Sequence, residues 1–351
     1  MNIRGPISIN EIVAATGLSR ATIDRVLNKR PGVHPRTEAH ILRVIAQLES
    51  DGHAPSSAAL TSELRKTYRF GMVVQAGETF THSVLRTVER LEKKDGGANA
   101  TLRALASRSD EETIDLIGSV RRDSDGLAIV SKNIEPVKSA LNELQGDGKP
   151  VVALVSDLDP TIRKAYVGID NRAAGQLAAF ILGRCLQRAA EAKVAVVVGY
   201  FSYLCQEDRE IGFRSLLRQR FPKIEIVEVI KGDDSREATY EAALRLLNHR
   251  RDIAGVYNVA GGNFGLARAI EEARLEQRPL YIAHEVNEVT EPLLRTGVID
   301  FLISQNVESL VRTSKKVLTD LRLGTVSVRE LNHLPVQVIS EFTLPPSEGA
   351  K

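Results

Sequence analysis

From residue 68 onward the sequence alternates short apolar runs with longer amphipathic stretches, and few architectures accommodate that rhythm. Apolar runs at 70–74, 126–130, 151–155, 194–198, 224–229, 255–259, 279–283 and 298–304 read as strands. Stretches at 84–94, 111–121, 171–188, 209–220 and 235–248 read as helices. Repeated strand–helix units build doubly wound parallel sheets, so an α/β body is expected. In such sheets ligands sit outside the C-terminal ends of the strands, which makes the residue after each strand the first place to look for chemistry.

The chain is 351 residues long, and at roughly 100–200 residues per domain it should hold two or three. With 43% hydrophobic and 26% charged residues it has the balance of an ordinary globular protein, neither disordered nor membrane-embedded. Cys185 and Cys205 form no C-x-x-C pair and allow one bridge at most, which excludes a disulfide framework and a thiolate zinc site. The first ten residues lack the apolar core of a secretory signal, and no apolar run approaches the roughly 20 residues of a membrane helix. A cytoplasmic protein without a membrane partner is therefore expected.

Charge is uneven. Residues 1–66 hold nine Lys or Arg against six Asp or Glu, and Arg20, Arg25, Lys29, Arg30 and Arg36 fall within seventeen residues, opposed there only by Asp24. A local positive field of this kind attracts phosphates, although a solvated helix face is the plainer reading of a charge cluster. Periodicity separates the two. Ile9, Ile12, Val13 and Ala15/Thr16 share one side of a helix starting at Ser8 or Asn10 and broken at Gly17. A second helix begins behind Ser19, a good N-cap, with Ile23, Val26 and Leu27 inward and Arg20, Ala21, Asp24 and Arg25 turned outward or toward its N-terminal end. A third, 37–48, repeats Ile41, Val44, Ile45 and Leu48. Three such helices make a helix-turn-helix unit whose second helix offers its outer face to base edges.

The residues from Ser8-Ile9-Asn10-Glu11-Ile12 through Thr16-Gly17-Leu18-Ser19, Ala21-Thr22-Ile23-Asp24-Arg25-Val26-Leu27-Asn28 and Pro31-Gly32-Val33 resemble the opening of the LacI/GalR (lactose-repressor/galactose-repressor) regulators over about fifty residues. The resemblance implies that Ser19, Arg20, Ala21 and Arg25 face the major groove and that Thr22 and Asn28 lie near phosphates. Asp24 stands where the family usually has Ser; its expected role is to pair with Arg20 one turn away or to accept from a cytosine amino group. His34-Pro35 likewise replaces the usual Ser before the third helix. In the following segment Pro55, Ser56 and Ala59 match the family's minor-groove hinge, while His53, Leu60 and Ser62 replace its Tyr, Arg and wedging Leu.

The body carries a second part of the same likeness, to the type I periplasmic-binding-protein fold. Val167-Gly168-Ile169-Asp170-Asn171 resembles the V-x-x-D-N crossing between lobes, Arg209-Glu210-Ile211-Gly212-Phe213 the R-x-x-G-F whose Arg reaches the ligand cleft, and Gly297–Asp300 with Gln305-Asn306 the return crossing. The expected layout is a DNA-binding domain at 1–54, a hinge at 55–68 and an effector-binding, dimerising body at 69–351. Its first lobe takes about 69–170 and 302–330, and its second about 171–301 and 331–345.

Binding a polyol calls for planar polar groups at fixed spacing and an aromatic face. Glu78, Thr79, Phe80, Ser131, Lys132 and Asp170 are the candidates on one lobe; Tyr200, Phe201, Arg209, Asn258, Asn263, His284, Glu285 and Gln305 are those on the other, each also readable as an ordinary loop residue. Ala260-Gly261-Gly262-Asn263-Phe264-Gly265, with Glu285 twenty positions on, nearly forms a dinucleotide fingerprint, but its first glycine is Ala260 and it falls late in the chain. The plainer reading lets these glycines bring backbone amides to an effector hydroxyl. There is no G-x-S-x-G, G-x-x-x-x-G-K-[ST] or H-E-x-x-H, and no catalysis, cofactor or metal is expected. The expectation is a homodimeric regulator of double-stranded operator DNA, a repressor, tuned by a sugar, polyol or sugar acid. The rivals are a sugar-binding protein without regulated DNA binding and, more remotely, a nucleotide-cofactor enzyme.

Overall fold

The computed structural model describes residues 8–28, 30–50, 67–95, 100–187, 191–324 and 330–344. Hinge residues 55–66, His53 and Lys29 fall outside that set, as do the side chains of Arg36 and Leu48.

The head is three helices: α1 (Ile9–Thr16), α2 (Arg20–Leu27) and α3 (Pro35–Ser50). Each boundary follows from local chemistry. Ser8 caps α1 in a reciprocal box with Glu11, and Gly17 ends it at φ 65°, a left-handed conformation that glycine adopts without a Cβ penalty. Ser19 caps α2 by accepting from the Thr22 amide. Pro35, in the pair that replaces the family's usual Ser, opens α3 two residues earlier than expected, because a first-turn proline gives up no helical hydrogen bond. Ile9, Ile12, Ile23, Val26 and Ile41 form the buried centre. Five aliphatic side chains, each worth about 1.5–3 kcal/mol on burial, make a small core, as suits a small domain.

The body begins with β1 (Tyr68–Gln75), α4 (Glu78–Asp95), β2 (Ala100–Ser107), α5 (Asp110–Asp123), β3 (Gly126–Val130), α6 (Glu135–Gly146), β4 (Val151–Leu154) and β5 (Ala165–Gly168). It continues through α7 (Asn171–Leu186), β6 (Ala192–Val198), α8 (Leu204–Arg220), β7 (Ile224–Lys231), α9 (Arg236–His249), β8 (Ile253–Asn258), α10 (Asn263–Glu272) and β9 (Leu280–His284). Then come α11 (Thr290–Arg295), β10 (Phe301–Ser304), α12 (Val307–Arg322), β11 (Leu331–His333) and β12 (Gln337–Ile339). Two six-stranded sheets result, ordered β11-β5-β4-β3-β1-β2 and β12-β10-β9-β8-β6-β7. Their pairings are parallel apart from β10 with β12. Alternate residues of each central strand feed opposite cores: Met72 and Val74 meet Val84 and Leu310, while Val73 meets Ile117 and Leu141.

Both sheets reverse direction beside their first strand, between β1 and β3 in one and β6 and β8 in the other. Such a switch point opens a crevice at the strand ends. The chain crosses between lobes after Gly168, after Ser304 and after His333. The last two crossings correct the expected layout: β10 belongs wholly to the second sheet and β11 to the first. Residues 302–304 therefore leave the first lobe and 331–333 join it. Nothing in a three- or four-residue apolar run tells which of two sheets it will pair with. α12 packs Leu310, Val311 and Leu318 under the first sheet, and its end touches the head, where the Asn10 side-chain amide donates to the carbonyls of Leu323 and Gly324 at 2.9 and 2.8 Å.

Candidate functional site

On the head, Ser19, Ala21 and Arg25 are exposed and Arg20, Thr22, Asp24 and Asn28 half-buried. Of the two roles expected of Asp24, the pairing with Arg20 is not made. Asn28 donates to its carboxylate at 2.9 Å, and Arg30 reaches it at 3.1 Å because the chain folds back after α2, the Arg30 amide bonding the Arg25 carbonyl. The carboxylate thus staples the end of the recognition helix to the following loop.

The second candidate site is the crevice between the lobes. An inner cavity with roughly 700 Å³ of empty space, part of it open to solvent, is lined from the first lobe by Ala76, Gly77, Thr79, Phe80, Val130 and Val155. From the second lobe come Tyr203, Cys205, Gln206, Arg209, Asp234, Asn263, His284, Glu285 and Asn287 among others. An outer cavity shares Ala76, Gly77, Tyr203 and Asp234 with it and adds Glu78, Arg108, Lys132 and Tyr200. These are the residues that follow β1 and β3 on one side and β6 to β9 on the other, as the switch-point geometry requires.

Arg209 is the centre of the inner cavity. It is 5% exposed; its Nε donates to Asn171 Oδ1 and one Nη to the Val259 carbonyl, both at 2.9 Å. Among the described residues no carboxylate pairs with it. Its position comes from a close crossing of α7 and α8, in which Gly175 lies against the backbone of Arg209 and Gly212 against that of Arg172. Asn171, which orients the guanidinium, is itself fixed by donating to the Val155 carbonyl at 2.8 Å. Val155 has φ 61°, a strained conformation for a β-branched residue, costing about 1–3 kcal/mol. Tyr166 Oη, at 3.0 Å on the same carbonyl, helps hold it. Glu285, at the end of β9, is also left-handed, with φ 63°.

His284 accepts or donates at Nε2 to Tyr257 Oη, 2.8 Å away, and is 3% exposed. Burial and the charge of Arg209 hold its pKa well below the ordinary imidazole value. Glu285 takes hydrogen bonds from Gln305 Nε2 at 3.0 Å and Ser304 Oγ at 3.1 Å, and burial pushes its pKa up against the lowering effect of Arg209. Asp234 receives the Gly261 amide at 2.6 Å and Gln206 Nε2 at 3.1 Å. Its carboxylate therefore occupies the amide that the glycine run was expected to offer to a ligand. Gly265 serves helix packing instead: a Cβ there would lie 1.9 Å from the Arg236 carbonyl oxygen.

Of the expected effector residues, Thr79, Phe80, Arg209, Asn263, His284 and Glu285 line the inner cavity, and Glu78, Lys132 and Tyr200 the outer one. The other expected residues line neither cavity. Asp170 caps α7 through the Ala173 amide, Ser131 is fully buried behind β3, and Phe201 lies at the surface, 51% exposed. Asn258 ties the loop after β8 by donating to Gly261 O and Asn263 Oδ1, and Gln305 orients Glu285. Asn171, Tyr203, Gln206, Asp234 and Asn287 were not anticipated. Asp234 was within reach of the post-strand rule had β7 been carried to Lys231.

The lobes are joined across the crevice by the loop after β6. Tyr203 Oη donates to the Gln75 carbonyl at 3.0 Å, the Asn133 amide to the Ser202 carbonyl at 2.7 Å, and Lys132 Nζ sits 4.8 Å from the Tyr200 ring centre. Among the described residues no group of His, Cys, Asp and Glu could hold a metal, and no helix is long and apolar enough to cross a membrane.

A two-lobed body around a polar crevice, with a helix-turn-helix in front, defines a class by its fold: a periplasmic-binding-protein-like domain joined to a helix-turn-helix head. Residues 70–325 match the family model of a periplasmic binding protein domain. The chain belongs to that family, one of binding proteins and not of enzymes, and is similar to transcriptional regulators that carry the same domain. It is 25% identical to the HTH-type transcriptional regulator CelR of Thermobifida fusca over 97% of this chain and 94% of that one. With catabolite control protein A of Priestia megaterium it shares 24% over 69% and 70% of the two chains. Among solved structures, GanP, a glucose-galactose binding protein from Geobacillus stearothermophilus, superposes with a TM-score of 0.72 at 23% identity, covering 80% of this chain and all of that one, which shows a common fold.

Proposed function

We propose that the chain is a cytoplasmic, sequence-specific transcriptional repressor that works as a homodimer on a pseudo-palindromic operator and whose DNA affinity is set by a small sugar-like effector in the interlobe cavity. The observation that carries this reading is the joining, in one chain, of an outward-facing recognition helix to a hinged body whose polar cavity lies on the boundary between its lobes. One recognition helix offers too few base contacts for selectivity, so two heads are needed.

An effector changes operator affinity only by binding two lobe arrangements unequally, and tenfold regulation requires about 1.4 kcal/mol of difference. The path is short. Glu285 lines the cavity and is held by Gln305; the next residue, Asn306, caps α12; and the far end of α12 holds Asn10 of the head. A shift of the lobes at this crossing is thereby delivered to the first helix of the head.

The test is Arg209→Ala in the full chain, read by fluorescence anisotropy on an operator selected from random duplex. Effector response should vanish while effector-free DNA binding stays. An Arg209→Ala protein that responds as wild type does places the effector elsewhere. No selected operator at all favours the sugar-binding protein without regulated DNA binding.

A further inference from the structure

We infer that the cavity selects a polyhydroxylated carboxylic acid, a sugar acid, over its parent neutral sugar, with the acid group taken by Arg209 and His284 together. This deepens the effector-binding reading above and rests on it.

The two side chains present donors and no acceptors. Arg209 is nine-tenths buried, and its observed partners, the Asn171 amide oxygen and the Val259 carbonyl, are neutral. A guanidinium has five N–H donors, so most of its donating capacity remains for whatever enters the cavity, and Glu285, the carboxyl its charge acts on, makes no ion pair with it among the described residues. A buried charge is stable only when paired and hydrogen-bonded, which points to an anion.

His284 supplies the second donor by elimination. Its Nε2 lies 2.8 Å from Tyr257 Oη, and among the described residues that contact is the tyrosine's only hydrogen bond. Tyr257 is fully buried, so its hydroxyl proton must be used there: it donates, and Nε2 accepts. A neutral imidazole accepting at Nε2 carries its proton on Nδ1. Burial and the nearby Arg209 charge keep the ring neutral. His284 Nδ1 is buried without a partner among the described residues, on a ring that lines the cavity. An N–H in the same cavity as a guanidinium whose hydrogen-bond partners are both neutral suits an oxygen that only accepts and bears negative charge. A sugar hydroxyl placed there would leave the charge unmatched and bring a proton of its own needing an acceptor.

The rest of the cavity suits hydroxyl groups. Asp234, at the boundary with the outer cavity, accepts from two donors and has lone pairs for more, and Thr79 adds a hydroxyl. Asn263 has its Oδ1 filled by Asn258 and Tyr281, leaving Nδ2 to donate. Glu285 also lines the cavity, but its carboxyl is engaged by Ser304 and Gln305, and its raised pKa weakens its opposition to an entering anion.

The experiment is calorimetric titration and thermal shift of the full chain with glucose, galactose and mannose, each beside its aldonate and uronate. At least one acid should bind about tenfold or more tighter than its parent sugar. His284→Phe should cost that acid about tenfold while sparing the parent. Nitrogen-15 NMR should show the His284 proton on Nδ1, and a mixture of tautomers in Tyr257→Phe. A parent sugar that binds as tightly as its acids, or a proton on Nε2, overturns the inference and leaves the effector-binding reading standing. Failure of every sugar and every acid to bind overturns both.

Discussion

Replacing Gly175 by alanine tests whether the crossing of α7 and α8 positions the cavity's guanidinium. On its own an alanine inside a helix gains about 1 kcal/mol over glycine. Here the added Cβ would stand 2.0 Å from the Arg209 carbonyl oxygen and 2.8 Å from its carbonyl carbon, both rigid backbone atoms. A Cβ on Gly212 would likewise stand 2.1 Å from Arg172 O in the same crossing, so the helices cannot relieve the contact by a small rotation. They must separate by more than about 1 Å to reach van der Waals distance, and overpacking of that kind costs about 1–3 kcal/mol. With rigid backbone at 2.0 Å the cost lies in the upper part of that range, about 2–3 kcal/mol, so the crowding outweighs the propensity gain, for a net loss of about 1–2 kcal/mol and a melting point lower by roughly 2–8 °C. Arg209 moves with the backbone, so its two 2.9 Å hydrogen bonds, to Asn171 and Val259, cannot both persist. Effector affinity should fall about tenfold or more. Gly118→Ala is the control: on α5 its nearest neighbour is the tip of Arg122 at 3.8 Å, and it should raise stability by up to about 1 kcal/mol. Thermal unfolding and calorimetry read both. A Gly175→Ala protein that melts at or above wild type and binds effector unchanged refutes the reasoning.

Asn10→Ala removes the two bonds from the head to the end of α12, and the ratio of operator affinities with and without effector should shrink while effector affinity in the body is kept; an unchanged ratio takes that contact out of the path. Stability should fall as pH drops below about 6.5, because the unfolded chain protonates at His284 and the folded chain, with its depressed pKa, does not. Glu285 works in the opposite direction near the ordinary carboxyl range, since its raised pKa lets the folded chain take up a proton first. Urea midpoints against pH should therefore show an acid slope that His284→Phe flattens between about pH 6.5 and 5. Arg20→Ala should change base preference at a single operator position, whereas Thr22→Ala, at a residue expected near phosphate, should weaken all sequences alike; site selection and affinity measurements separate the two.

The parts of the fold legible in the sequence are those where local chemistry and burial agree. Ser8, Gly17 and Ser19 mark helix ends by capping, and the central runs of β1, β3, β6 and β9 are apolar and buried because helices cover both their faces. β2 was missed because it is an edge strand with Arg103 exposed, and β11 and β12 because three exposed residues carry no pattern. In the cavity, residues just past a strand, such as Thr79 and His284, were visible from sequence. Direction was not: Tyr203 and Phe201 stand two positions apart in one loop, yet the first clasps Gln75 and lines the cavity while the second faces solvent. Asp24 shows the same limit, since its pairing with Arg30 and not Arg20 depends on how the chain leaves α2.

The most direct measurement of the whole account is selection of duplex sites from a random pool by the purified full chain at moderate ionic strength, followed by affinity for the selected site with and without the compound that stabilises the body. An inverted repeat of two half-sites, held several-fold more or less tightly once the compound is added, is the predicted result. Enrichment of no sequence, or an enriched site whose affinity no body-stabilising compound alters, contradicts it.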